Sequence, residues 1–73
     1  MAINRALFSG LAPRYAQLLP LLAEGRSNRQ MADELTLAVH TVETYVSELM
    51  ELMDCHNRAE LAVQACRYFD RAL

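Results

Sequence analysis

The side chains of this 73-residue chain that could do chemistry are few, and they do not gather into a reacting group. Its thiols are Cys55 and Cys66, with no C-x-x-C spacing, and its two imidazoles are His40 and His56. A zinc site needs three or four ligands, and the Cys55-His56 pair supplies two. Two cysteines allow one disulfide at most, and their spacing reads as two small, partly buried thiols in a reducing compartment. No Ser/His/Asp or Cys/His grouping has a pocket to work in. We therefore expect no catalytic residue, no metal, no cofactor and no enzymatic activity. Charge shows a clearer pattern. Residues 1–29 carry Arg5, Arg14, Arg26 and Arg29 against Glu24, residues 30–57 carry six carboxylates and no Lys or Arg, and residues 58–73 carry Arg58, Arg67 and Arg71 against Glu60 and Asp70. An acidic centre thus lies between two basic flanks, and lysine is absent altogether.

These charges need elements to hold them. The length is that of one domain, and a core this small gives only marginal stability alone. About half the residues are apolar, helix formers dominate, and only two glycines occur, Gly10 and Gly25. That composition predicts an all-α fold. Ile3, Leu7 and Phe8 suggest a short helix ended by Ser9-Gly10, so residues 1–10 read as a short N-terminal extension to a domain over 11–73. The first main helix is expected over 13–24, with Pro13 at its start, the stripe Tyr15, Leu18, Leu19, Leu22 inward and Gly25 as its stop. Pro20 falls inside it and predicts a bend, or a helix that begins late.

The second helix is expected over 27–35. Ser27 and Gln30 have the spacing of a capping box, and Met31, Ala32 and Leu35 face inward. After the short Thr36-Leu37-Ala38 connection, the third spans 39–53. Val39, Val42, Val46, Leu49, Met50 and Met53 form its apolar stripe, and His40, Glu43, Thr44, Ser47, Glu48 and Glu51 its other face. The fourth, over 58–71, follows a second capping-box spacing at Asn57 and Glu60, with Leu61, Ala62, Ala65, Cys66 and Phe69 inward and Val63 and Arg67 away from that stripe. No apolar run approaches a bilayer span and no signal peptide is visible, so a soluble, cytoplasmic protein is expected.

Two short helices joined by a tight turn, 27–35 and 39–53, make a helix-turn-helix frame. The residues add more. Leu11-Ala12-Pro13-Arg14, Leu21-Leu22-Ala23-Glu24-Gly25-Arg26-Ser27-Asn28-Arg29-Gln30-Met31-Ala32, Thr41-Val42-Glu43-Thr44-Tyr45 and Asn57-Arg58-Ala59-Glu60-Leu61 together resemble the LuxR-type helix-turn-helix domain. The resemblance runs from about Leu11 to Tyr68. It implies a transcriptional regulator in which the third helix enters the DNA major groove and the fourth makes a dimer. Carried over by position, Arg29, His40, Glu43, Thr44, Tyr45 and Ser47 fall where the family meets phosphates or base edges. Val63 and Arg67 fall on the implied dimer face.

The third helix itself carries no Lys or Arg. Phosphate neutralisation supplies most non-specific DNA affinity, so Arg26, Arg29 and Arg58 would have to provide it. Two functions fit the residues. One is a DNA-binding regulator, working as a homodimer. The other is a regulator with impaired DNA affinity that binds and inhibits another LuxR-type regulator; the acidic block and Leu52 favour it.

Overall fold

The computed structural model describes residues 11–72, with side chains as far as Arg67. The expected short helix through Ile3, Leu7 and Phe8, and the inward placing of Phe69, lie outside the residues so described. The elements are α1 (Pro13–Ala16), α2 (Leu19–Ala23), α3 (Asn28–Leu35), α4 (Val39–Leu52) and α5 (Arg58–Ala72). Taking α1 and α2 as one interrupted helix gives the four expected, and no strand occurs among the described residues.

The interruption has its cause in Pro20. A proline has no N–H to offer the carbonyl of Ala16, so the ladder cannot run through. The chain tightens at Gln17-Leu18, where Leu18 N–H turns back to Tyr15 C=O at 3.0 Å, and α2 restarts with Pro20 in its first turn, where no donor is needed. The bend keeps Leu18, Leu19 and Leu22 all buried.

Three helix ends share one hydrogen-bond pattern. Arg26 N–H reaches Leu21 C=O at 3.0 Å, Leu37 N–H reaches Ala32 C=O at 2.8 Å, and Cys55 N–H reaches Met50 C=O at 2.9 Å. Each needs a left-handed residue just before the donor. Those residues are Gly25 (φ 78°), Thr36 (φ 58°) and Asp54 (φ 55°). The helix starts differ more. At α3, Ser27 Oγ accepts from Gln30 N–H at 3.1 Å while Gln30 Oε1 accepts from Ser27 N–H at 2.9 Å, the reciprocal box expected. At α5, Asn57 Oδ1 accepts from Glu60 N–H at 2.9 Å, but Glu60 Oε1 reaches one residue further back, to His56 N–H at 2.6 Å. At α4 the capping position holds Ala38, which offers no side-chain acceptor.

The core is one cluster. Tyr15, Leu18, Leu19 and Leu22 meet Met31 and Ala32 of α3, Val42, Val46 and Leu49 of α4, Met53, and Leu61 and Ala65 of α5. α2 packs on α5, α3 on α4, and α1 on α4. Two inward expectations need correction. Val39 is 38% exposed, because it is the first residue of α4 and stands at the end of the apolar stripe. Cys66 is exposed rather than buried, and its thiol donates to Ala23 C=O at 3.3 Å along the α2–α5 seam.

Candidate nucleic-acid interface

The packing leaves one long side of α4 uncovered. Val42, Val46 and Leu49 fill the core, so the opposite side points outward. His40, Glu43, Thr44, Ser47 and Glu51 are all exposed there. Their spacing of three and four residues makes a single stripe along a helix of 14 residues, about 21 Å long. Within it Thr44 Oγ1 donates to His40 C=O at 3.0 Å, which turns the methyl group of Thr44 outward with its hydroxyl held to the helix.

Two residues of the α4 set lie elsewhere. Tyr45 is half-buried, its ring edge-on to that of Tyr15 at 6.0 Å between centroids. Its ring therefore packs on the first helix rather than joining the exposed stripe. Helical period predicts Glu48 on the outward side of α4. It is half-buried instead, and its Oε1 accepts the Tyr15 hydroxyl at 2.7 Å. Arg14 completes this joint: its guanidinium lies 4.6 Å from the centre of the Tyr15 ring and donates to the Tyr15 hydroxyl at 3.3 Å. That hydrogen bond, and then the nearby charges including Glu48, hold the Arg14 pKa above its ordinary value.

The arginines expected to meet phosphates differ in their freedom. Arg29 is exposed in the first turn of α3, and no ion pair holds it among the described residues. Arg26 pairs with Glu24 at 3.3 Å and Glu34 at 3.7 Å, contacts open enough to water to exchange easily. Arg58 is committed inside the fold. It donates to Asn28 Oδ1 and, at 2.6 Å, to Arg26 C=O, so it ties the start of α5 to the start of α3. Nothing in its own neighbourhood of sequence announces a bond to residues some thirty positions away.

On α5, Val63 is 49% exposed and Arg67 is exposed beside it, as expected of residues off the core stripe. With Cys55, Asn57 and Glu60 they line an open groove at the α4–α5 turn. Cys55 is half-buried there, and burial pushes its thiol up, helped by the charges of Glu60 and Asp54. No cluster of three or more metal-ligating side chains occurs among the described residues, and no helix there is long and apolar enough to cross a membrane.

The sequence pattern of the family described as bacterial regulatory proteins, luxR family, matches residues 9–65. The chain belongs to the LuxR family. The matched stretch takes in α1 to α4 and the first half of α5, so the helix-turn-helix described above is the DNA-binding domain of a family of transcription regulators. Among similar proteins, the two-component response regulator PprB of Pseudomonas aeruginosa is 42% identical over 60 residues, covering 82% of this chain and 22% of PprB. The DNA-binding transcriptional activator DevR/DosR of Mycobacterium tuberculosis is 44% identical over 57 residues, covering 78% of this chain and 26% of its own length. The transcriptional regulatory protein LiaR of Bacillus subtilis is 33% identical over 64 residues, covering 88% and 30%. The chain thus spans between a fifth and a third of the length of these relatives.

Proposed function

We propose that this LuxR-family domain, residues 11–73 with 1–10 as an extension, binds DNA through the open stripe of α4 and regulates transcription in the cytoplasm as a homodimer. The observation that carries the reading is that stripe. A helix 10–12 Å across fits a major groove about 12 Å wide, and α4 offers it an uncovered polar side over its whole length. His40, Glu43, Thr44 and Ser47 then meet base edges, Glu43 being suited to accept from a cytosine amino group and the Thr44 methyl to touch a thymine methyl. Arg29 meets phosphate from the start of α3, and Arg26 joins it by exchanging its glutamates for the backbone. Arg58 contributes by holding that start in place, and Tyr45 by seating α4 on α1. Val63 and Arg67 form the dimer face on α5.

Titration with duplex DNA at several salt concentrations tests this. Binding that weakens with salt is expected, and Arg29→Ala should lower the slope of log K against log [salt] by about one. Substituting Thr44 should change which sequences are preferred rather than the slope. Sedimentation should show self-association that Val63→Glu weakens; a strict monomer at high concentration rules the dimer out.

A second reading is favoured by the charge of the same stripe. It bears Glu43 and Glu51 and no cation, and the 54% exposed Leu52 lies at its end. Such a face suits a basic protein surface, and a domain of this kind would bind and inhibit another LuxR-type regulator. Absence of DNA binding even at low salt selects this reading, and Glu43→Lys with Glu51→Lys should then create weak DNA affinity. Tight sequence-specific binding by the native chain excludes it.

A further inference from the structure

We propose that Arg14 is a phosphate contact of the DNA interface, presented by α1 at the flank of α4, with Tyr15 and Glu48 as the residues that position it. This rests on the DNA-binding reading above. Free cations near α4 are few. α4 has no cation, Arg58 is used inside the fold, and Arg26 is shared with two carboxylates. A groove-entering helix with Glu43 and Glu51 on its open side needs positive charge at the groove walls, since a polyanion repels both.

The geometry places Arg14 at such a wall. Glu48 follows Ser47 directly, so it stands about 100° round the helix from a residue of the open stripe. A helix that nearly fills the groove has the sugar-phosphate backbones at its sides, and a group about 100° from the stripe faces one of them. Glu48 alone would be a poor neighbour for phosphate. Its carboxylate instead takes the Tyr15 hydroxyl at 2.7 Å, and that hydroxyl accepts from Arg14 Nη2 at 3.3 Å. The guanidinium also rests on the Tyr15 ring, 4.6 Å from its centre. The ring contact and the hydrogen bond anchor the guanidinium while leaving its other donors in water, because Arg14 is exposed. An oriented, hydrated guanidinium with unused donors is the group that pairs with a phosphate oxygen.

Each variant should first be matched to the native chain by circular dichroism, then titrated with sheared double-stranded genomic DNA over a salt series. Arg14→Gln removes the charge but can still donate to the Tyr15 hydroxyl; Arg14→Lys keeps the charge. We expect Arg14→Gln to reduce the slope of log K against log [salt] by about 0.9, one phosphate contact, and Arg14→Lys to keep the native slope. A native slope in Arg14→Gln, even with weakened affinity, overturns the proposal, because a merely structural role lowers affinity without releasing fewer counterions. A reduced slope in both variants overturns it too. If the native chain shows no salt-dependent binding, the DNA-binding reading fails and this inference with it. Native binding with an unchanged Arg14→Gln slope defeats this inference alone.

Discussion

The two turns that flank α3 have nearly the same backbone and are built from opposite materials. Before α3, Gly25 takes the left-handed conformation, Arg26 N–H closes back to Leu21 C=O, and Ser27 begins the helix with a reciprocal cap. After α3, Thr36 takes the left-handed conformation, Leu37 N–H closes back to Ala32 C=O, and Ala38 begins α4 with no cap. Glycine and serine suit those positions; a β-branched residue and an alanine do not. The first turn is also gripped from outside by Arg58, through Asn28 and the Arg26 carbonyl. One backbone path is therefore reached by local preference in one place and against it in the other. What holds the second turn is the packing of α3 on α4 on either side of it, with Met31, Ala32, Val42 and Val46 all in the buried core. The start of α3, which carries Arg29, joins a local cap to the tie from Arg58. The start of α4 is held from its core face.

Substitutions can break this contrast. Arg58→Ala should have the largest effect, because it leaves the Asn28 amide oxygen and the Arg26 carbonyl without their donor; a loss of about 2 kcal/mol is expected in thermal or urea unfolding. A variant melting like the native chain would show the first turn to be self-sufficient. Gly25→Ala should cost about 1–2 kcal/mol, the left-handed penalty alone, since no atom lies within 4 Å of the added methyl group. In the second turn the signs reverse. Ala38→Ser should stabilise by about 1 kcal/mol by supplying the missing acceptor, and destabilisation there would mean the turn has no room for a cap. Thr36→Gly should give the smallest change, a gain of roughly 0.5 kcal/mol, left after the relief of backbone strain is offset by glycine's entropy.

The same contrast marks how far the fold was legible in the sequence. Ser27, Gln30, Gly25 and Pro20 act within a few residues of themselves, and the capping box, the stop and the bend follow from them. The apolar periods of α3, α4 and α5 likewise place most of the core. Thr36 gives no local sign of its left-handed conformation, because tertiary packing imposes it. The candidate site divides in the same way. His40, Glu43, Thr44 and Ser47 share an open side by helical period alone. Glu48 stands at the edge of the outward side by helical period, and its half-burial comes from Tyr15 of α1, which donates its hydroxyl to the carboxylate. Arg58 and Tyr45 depend on Asn28 and Tyr15, contacts that only the assembled fold creates.

The α1–α4 joint has an optical consequence. The chain contains three tyrosines and no tryptophan, and two of the three meet in that joint. A phenol that donates to a carboxylate loses emission, so Tyr15 is dim while its bond to Glu48 lasts. Two rings held edge to face in a fixed chiral setting also contribute near-ultraviolet circular dichroism, a signal that depends on fixed tertiary packing. Separation of α1 from α4 would brighten the first signal and erase the second. The seating of α4 on α1 can thus be followed by light, without a label and with no stronger chromophore to mask it.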